Sequence, residues 1–249
     1  MLNIKSIKTQ LIIYLLVVAL ALAVRGRDFS FLVALAIAVF AATLIETLIL
    51  YVRTKSFKIA SSPIITGMII GYVLSGDTAW WKLTLTALVA IFSKYLFVFK
   101  KKHIFNPAAF GIFLSTLMLG TSTQWKGTYM WYVWVPCGLY FVQRINKMEI
   151  IIGYTIVSLA LFGIQAVLQK VSLLNILGYF SYFYIFIMVI EPKTTPSKPI
   201  AKYIFGAGTA ALIFAFTESG VRFDAELFSL LLANIMVPLL NKKRQGGVA

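Results

Sequence analysis

The chain has 249 residues and a formal net charge of +15, with 60% hydrophobic and only 12% charged residues, against the roughly 25% charged of a soluble domain. So few polar residues cannot build a soluble surface, which excludes a soluble enzyme and points to an integral membrane protein. The single cysteine, Cys137, excludes an internal disulfide or a cluster of thiolate ligands within this chain.

A helix needs ~17–25 residues to cross a bilayer, and the chain holds ten apolar runs to set against that length. The first, Ile7–Val24, follows Lys5 and Lys8 and ends on Ala21-Leu22-Ala23, a pattern shared with cleaved signal peptides. Keeping it as a helix preserves an even count. The second, Phe29–Val52, carries Glu46 between Thr43 and Thr47. A charge at the bilayer centre costs about 3 kcal/mol, so Glu46 is expected to be neutral, paired or wet. A structural pair is expected ahead of a coupling-ion site. The third run, Ser61–Leu74, places Gly67 and Gly71 at i, i+4, which suits close helix packing ahead of ligand contact.

The fourth run, Trp81–Phe99, contains Lys94, expected to snorkel to the nearer membrane face. Lys100, Lys101 and Lys102 follow, with His103 expected at the interface. The fifth run, Pro107–Leu119, opens on Asn106-Pro107, an N-cap followed by a proline suited to the first turn. The sixth, Tyr129–Val142, begins in a cluster (Trp125, Tyr129, Trp131, Tyr132 and Trp134) that reads as an interfacial aromatic belt. Ile150–Leu168, Leu174–Ile190, Ile200–Thr217 and Ala225–Leu240 complete the set. Asn234 in the last is expected to bond across the interface between the two halves. The third, fifth and sixth runs are short for a straight crossing and are expected to be half-helices buried in protein.

Placing the N-terminus in the cytoplasm puts sixteen Lys and Arg residues in the tails and inner loops and six in the outer loops. That bias is the positive-inside rule. It predicts a multi-pass protein of the cytoplasmic membrane with both termini inside, and it assigns the basic balance to topology instead of nucleic acid.

Two stretches read as loose copies 118 positions apart. In the first, Ile64–Leu74 breaks at Ser75-Gly76-Asp77-Thr78, and a long run leads to Phe105-Asn106-Pro107-Ala108-Ala109-Phe110. In the second, Tyr184–Ile190 breaks at Glu191-Pro192-Lys193-Thr194-Thr195-Pro196, and a long run leads to Phe223-Asp224-Ala225-Glu226-Leu227-Phe228. Interrupted hydrophobic segments at matching places point to a binding site near the membrane midplane. The expected fold is all-α: one membrane domain, 1–249, of about ten helices in two inverted five-helix repeats, near 1–119 and 120–249.

Four blocks resemble a known family, which takes in the RnfD membrane component of the Rnf complex and the NqrB component of the sodium-pumping NADH:quinone oxidoreductase. Ile65-Thr66-Gly67-Met68-Ile69-Ile70-Gly71 with Trp80-Trp81 is similar to its T-G-L-L-L-G block and later tryptophans. Ala90–Phe97, around Lys94, and Phe105–Ala108 resemble its lysine helix and F-N-P-A turn. Glu191–Pro196 running on to Tyr203-Ile204-Phe205-Gly206 resembles its D-P-x-T segment and L-I-F-G. Leu231–Leu239 is close to its L-L-A-N-x-x-V-P-L ending.

The resemblance implies a flavin-binding membrane component that passes electrons through the bilayer beside the other subunits of an Rnf/Nqr-like complex, with coupling to Na⁺ or H⁺ left open. It places FMN or riboflavin, non-covalently held, at Thr66, Gly67, Gly71, Asn106, Pro107, Glu191, Thr194 and Thr195. The family's covalent FMN sits on an outer threonine after the fifth helix. Here Gly120–Thr128 lacks the longer insert and a clear acceptor pattern, so a plain polar turn is expected and Thr123 is the least poor acceptor. The departure keeps a second reading open, a transporter or channel on the same scaffold without redox activity. No stand-alone catalytic constellation and no metal-ligand cluster is visible, so enzyme status stays open.

Overall fold

The computed structural model describes residues 6–57, 59–172, 176–178 and 180–242. Lys5, Lys58, Lys243 and Arg244, counted in the charge bias, and Leu174, which opens the eighth run, lie outside the described residues. The chain runs α1 (Ile7–Gly26), α2 (Phe29–Thr54), α3 (Ser61–Val73), α4 (Trp80–Leu96), a hairpin of β1 (Val98–Phe99) and β2 (Lys102–His103), and α5 (Pro107–Leu119). It continues with α6 (Trp131–Arg144), α7 (Met148–Leu168), a π-helical turn (Tyr184–Met188), α8 (Pro199–Glu218) and α9 (Ala225–Leu240). Helices α1, α2, α7 and α8 are long and apolar enough to cross a membrane, while α3, α5 and α9 are shorter apolar helices.

Two expected segments differ. The fourth run stops at Leu96, and its last residues turn into the antiparallel hairpin. Lys100 and Lys101 make the tight turn at φ 47° and 65°, and the lysine run between the strands cannot continue an apolar helix. Among its described residues the eighth run is not one helix, and its main element is the π-helical turn Tyr184–Met188. Every side chain from Phe183 to Ile190 is buried, so this irregular backbone is enclosed by protein, the only way it is tolerated at membrane depth.

Small residues set the helix spacing. A Cβ on Gly67 would come within 2.5 Å of Val39 Cα, and one on Gly71 within 2.6 Å of Leu35 Cα, so α3 lies backbone to backbone on α2. The same device joins α7 to α8, where Gly206 faces the Ile150 carbonyl at 2.1 Å from an ideal Cβ. Helix α4 packs on α5, α8 on α9, and α5 on α9.

Hydrogen bonds sort the loops into two ends. At one, Ser197 donates to Asn241, Lys202 to the Asn146 carbonyl and Lys147 to the Pro196 carbonyl. At the other, Ser75 donates to the Ser122 carbonyl, Gln124 to the Val73 carbonyl, and Lys126 pairs with Asp28.

Candidate functional site

The start of α5 is the most heavily tied point at the lysine-rich end. The Asn106 side chain accepts from the Ala109 N–H at 3.1 Å and donates to the Met188 carbonyl at 3.2 Å, while its backbone N–H donates to Asn234 Oδ1 at 2.9 Å. Asn234 in turn donates to the Thr194 carbonyl at 3.0 Å. Both asparagines are buried, at 1% and 0% exposure, and Asn234 ties the start of α5 to the Glu191–Pro196 turn. Proline at the first helical position has no N–H, so the Ala108 N–H is the first-turn donor left without a partner among the described residues.

Ala108 lines a cavity of about 360 Å³, within the range of small-molecule pockets. Ser62, Ile65, Thr66 and Ile69 of α3 form one wall, Asn106, Pro107 and Ala108 the floor, and Ile187, Ile190 and Glu191 the other wall. Lys8 and Lys193 stand at its rim, both exposed. Thr66 Oγ1 is engaged by its own helix, donating to the Ser62 carbonyl at 3.1 Å. Behind the Glu191–Lys193 turn lies a second cavity of about 870 Å³, lined by Thr194, Thr195, His103, Asn234 and five lysines, Lys100, Lys102, Lys193, Lys198 and Lys242.

The residues singled out from sequence therefore divide. Thr66, Asn106, Pro107 and Glu191 share the first cavity, and Thr194 and Thr195 face the second. Gly67 and Gly71 serve the α2–α3 contact. The second break is self-bonded: Thr195 Oγ1 donates to the Glu191 carbonyl at 2.8 Å, and Glu191 Oε1 sits 3.1 Å from His103 Nε2. His103 is thus 7% exposed and paired, not an open interfacial residue, because β2 turns it inward.

Glu46 has the structural partner expected of it. Lys94 Nζ lies 2.5 Å from Glu46 Oε2 and 3.2 Å from Ser62 Oγ, with both charged residues under a tenth exposed. Lys94 does not snorkel, because a carboxylate 48 positions earlier meets it inside the helix bundle. Lys147, between α6 and α7, is also inward, donating to the Pro196 carbonyl at 2.7 Å. Burial pushes its ammonium down to about 8, helped by the charges of Lys202 and Lys102.

At the opposite end Asp224 caps α9 through the Leu227 N–H at 3.0 Å and accepts from Thr123 Oγ1 at 3.0 Å and Trp125 Nε1 at 2.9 Å. The Thr123 hydroxyl is thus held in a polar turn, beside a third cavity of about 350 Å³ that Thr128, Ser181 and Glu226 also line. The hydrogen bond from Lys126, with one from Ser30, holds the Asp28 carboxyl down at about 2. Tyr129, Trp131 and Tyr132 are exposed at 71%, 59% and 49%, as a belt requires. Trp134 is the correction: it is fully buried, donates to the Gly127 carbonyl at 2.8 Å and packs edge-on against Phe183. At 3.6 residues per turn it is rotated roughly 60° round α6 from Trp131, enough to turn it from the lipid to the core.

The model of the NQR2, RnfD, RnfE family matches residues 2–129 and 114–247. The RnfD-type component of the ion-translocating oxidoreductase complex of Tolumonas auensis is 35% identical over 63 residues, which make up 25% of this chain and 18% of that protein. The chain therefore covers under a fifth of that relative's length.

Proposed function

The chain belongs to the NQR2, RnfD, RnfE family, an integral membrane family, and from that premise we propose that it is the membrane subunit of an Rnf/Nqr-type electron transport complex. In this reading it holds a flavin, FMN or riboflavin, non-covalently in the cavity at the start of α5. It works beside other membrane subunits in the cytoplasmic membrane, with both termini inside and electron transfer coupled to Na⁺ or H⁺ movement. The single observation that carries the reading is the cavity itself: about 360 Å³, mostly apolar, with the first turn of α5, Pro107 and Ala108, in its lining.

The flavin, once bound, supplies the electron chemistry, and the protein supplies binding, orientation and electrostatics. The Ala108 N–H and the positive end of α5 would meet an electron-rich ring atom. Ile65, Ile69, Ile187 and Ile190 would exclude water from the ring, and Lys8 and Lys193 at the rim would meet a phosphate if the flavin is FMN. Asn106 acts as a positioning residue, since its own polar groups are taken by the cap and by Met188.

The same proposal reads the fold as two inverted halves. Its support is the pair of matching caps, Asn106 on Ala109 and Asp224 on Leu227, and the parallel packing of α4 on α5 and α8 on α9.

The test is the visible spectrum of the purified protein, with FMN or riboflavin added back if it is lost. Wild type should show a flavin band. Ile65→Trp, which fills the cavity, should lose it, while Ile204→Trp, on a face 53% exposed, should keep it. A folded wild type that is colourless and binds neither flavin overturns the reading and leaves the transporter or channel alternative.

A further inference from the structure

The larger cavity, of about 870 Å³, has no part in the flavin reading. Its lining holds five lysines, Lys100, Lys102, Lys193, Lys198 and Lys242, and neither aspartate nor glutamate. All five are exposed. Among the described residues none of them pairs with a carboxylate, because the ion pairs are made by Lys94, His103, Lys126 and Lys202. Glu191, in the adjoining turn, is engaged by His103. Like charges gathered round one space repel each other, so the cavity favours an anion.

The lysines reach it from three separate places, the β1–β2 hairpin, the turn before α8 and the end of α9. Backbone contacts hold those places together. Lys198 Nζ donates to the Lys242 carbonyl at 2.9 Å, and Asn241 Oδ1 accepts from the Ser197 N–H at 2.9 Å. The Asn241 Nδ2 group is left as a donor without a partner among the described residues. In the hairpin, Phe99 pairs with Lys102, so Lys100 and Lys101 form a two-residue turn with both φ values positive. Asn and Gly normally fill such a turn, and side chains held in that region gather at ligand clamps.

The rest of the lining says which anion. Phe99, Val237, Pro238 and Leu239 add an apolar wall. Phe99 and Leu239 are exposed, as are Val98 beside the one and Met236 below the other. These residues end the apolar helix α9 and follow the apolar helix α4, so the wall runs out onto surface that meets lipid. A soluble anion has no use for such a wall, whereas an amphiphile fits both parts. Basic pockets at the membrane face of helix bundles take anionic lipid headgroups. We propose that this cavity holds the headgroup of an anionic phospholipid, its phosphodiester met by Lys102, Lys193 and Lys242 and its acyl chains laid along Phe99 and Leu239. The flavin reading stands or falls separately, since the two cavities share only Lys193.

The test is the melting temperature of the purified full chain in neutral detergent, titrated with phosphatidylglycerol or with phosphatidylcholine of the same acyl chains. A ligand of the native state raises stability with its concentration. The midpoint should therefore climb with phosphatidylglycerol and stay flat with phosphatidylcholine, inorganic phosphate and glycerol 1-phosphate. Lys102→Gln combined with Lys242→Gln should weaken the apparent affinity about 25-fold, at about fivefold for each lysine lost, and keep wild-type flavin content. Lys55→Gln combined with Arg144→Gln removes the same charge from exposed positions that line neither cavity, and should leave the affinity unchanged. A midpoint no higher in phosphatidylglycerol than in phosphatidylcholine overturns the proposal and leaves the lysines to an acidic protein partner. A response to inorganic phosphate equal to that of the lipid overturns it in favour of a soluble anion. An equal loss in the two double variants reduces the effect to net charge and overturns it too. Should the Lys102, Lys242 variant misfold, wild-type affinity in Lys102→Gln alone has the same consequence.

Discussion

Glu46→Gln is the sharpest single perturbation of this fold. It leaves Lys94, buried at 9% exposure, without its paired carboxylate, with only neutral acceptors at hand: the new amide oxygen and Ser62 Oγ, 3.2 Å away. Removing one member of a buried ion pair costs about 3–5 kcal/mol, because the other charge stays desolvated and uncompensated. At ~2–4 °C per kcal/mol for a chain of this size, the melting temperature in detergent or nanodiscs should fall by about 6–20 °C. The cost belongs to the orphaned ammonium and not to the pair as such, since apolar replacement of both members is often neutral or stabilising. Glu46→Met combined with Lys94→Met should therefore recover most of the loss. A Glu46→Gln midpoint within about 2 °C of wild type, or a double variant no better than the single, would show that the pair does not form in the membrane.

Gly67→Ala should destabilise by about 1–3 kcal/mol, because its Cβ would meet the α2 backbone at 2.5 Å, whereas Gly208→Ala, with nothing within 4 Å, should be neutral or better; thermal melts separate them. The Asp28 carboxyl titrates near 2 when folded, below its ordinary 3.8, so its contribution is complete above about pH 4 and lost as pH falls towards 2. Lys126→Met should flatten the melting temperature across that acid window. Denatured protein on a gel should show no flavin fluorescence, because Thr123 lies in a short turn and bonds Asp224; a fluorescent band abolished by Thr123→Ala would reverse this.

Hydrophobic run length locates nearly every helix, because lipid fixes both length and polarity of a crossing. It fails at the eighth run, where enclosure by protein lets a π-helical turn replace a helix, a condition set by neighbours and not by the segment's own residues. The Glu46 partner is hidden for a similar reason. Composition says that a buried carboxylate needs a cation, but nothing local says that α4 presents Lys94 to α2. Trp134 escapes the sequence because a belt and a core aromatic differ only by helix face. The α5 cap is legible, since Asn-Pro before an apolar run is a local signal, while the Asp224 cap of α9 is seen only in the structure. What those caps do to their cavities is not legible, as that depends on which backbone donors remain free.

The two caps give the starts of α5 and α9 different electrostatics. Asn106 is neutral, and it satisfies the Ala109 N–H without cancelling the positive end of α5. The uncapped Ala108 N–H adds to that field, so the cavity there suits an electron-rich ligand. Asp224 brings a full negative charge to the start of α9, and Glu226 stands two residues on. The Asp224 charge more than offsets a helix end worth roughly half a charge, so the cavity beside α9 does not favour an anionic group. Asn106→Asp should bring the same reversal to α5 and lower flavin occupancy while the helix stays capped. If flavin occupancy is unchanged in that variant, cap charge is not what fits the α5 cavity to its ligand.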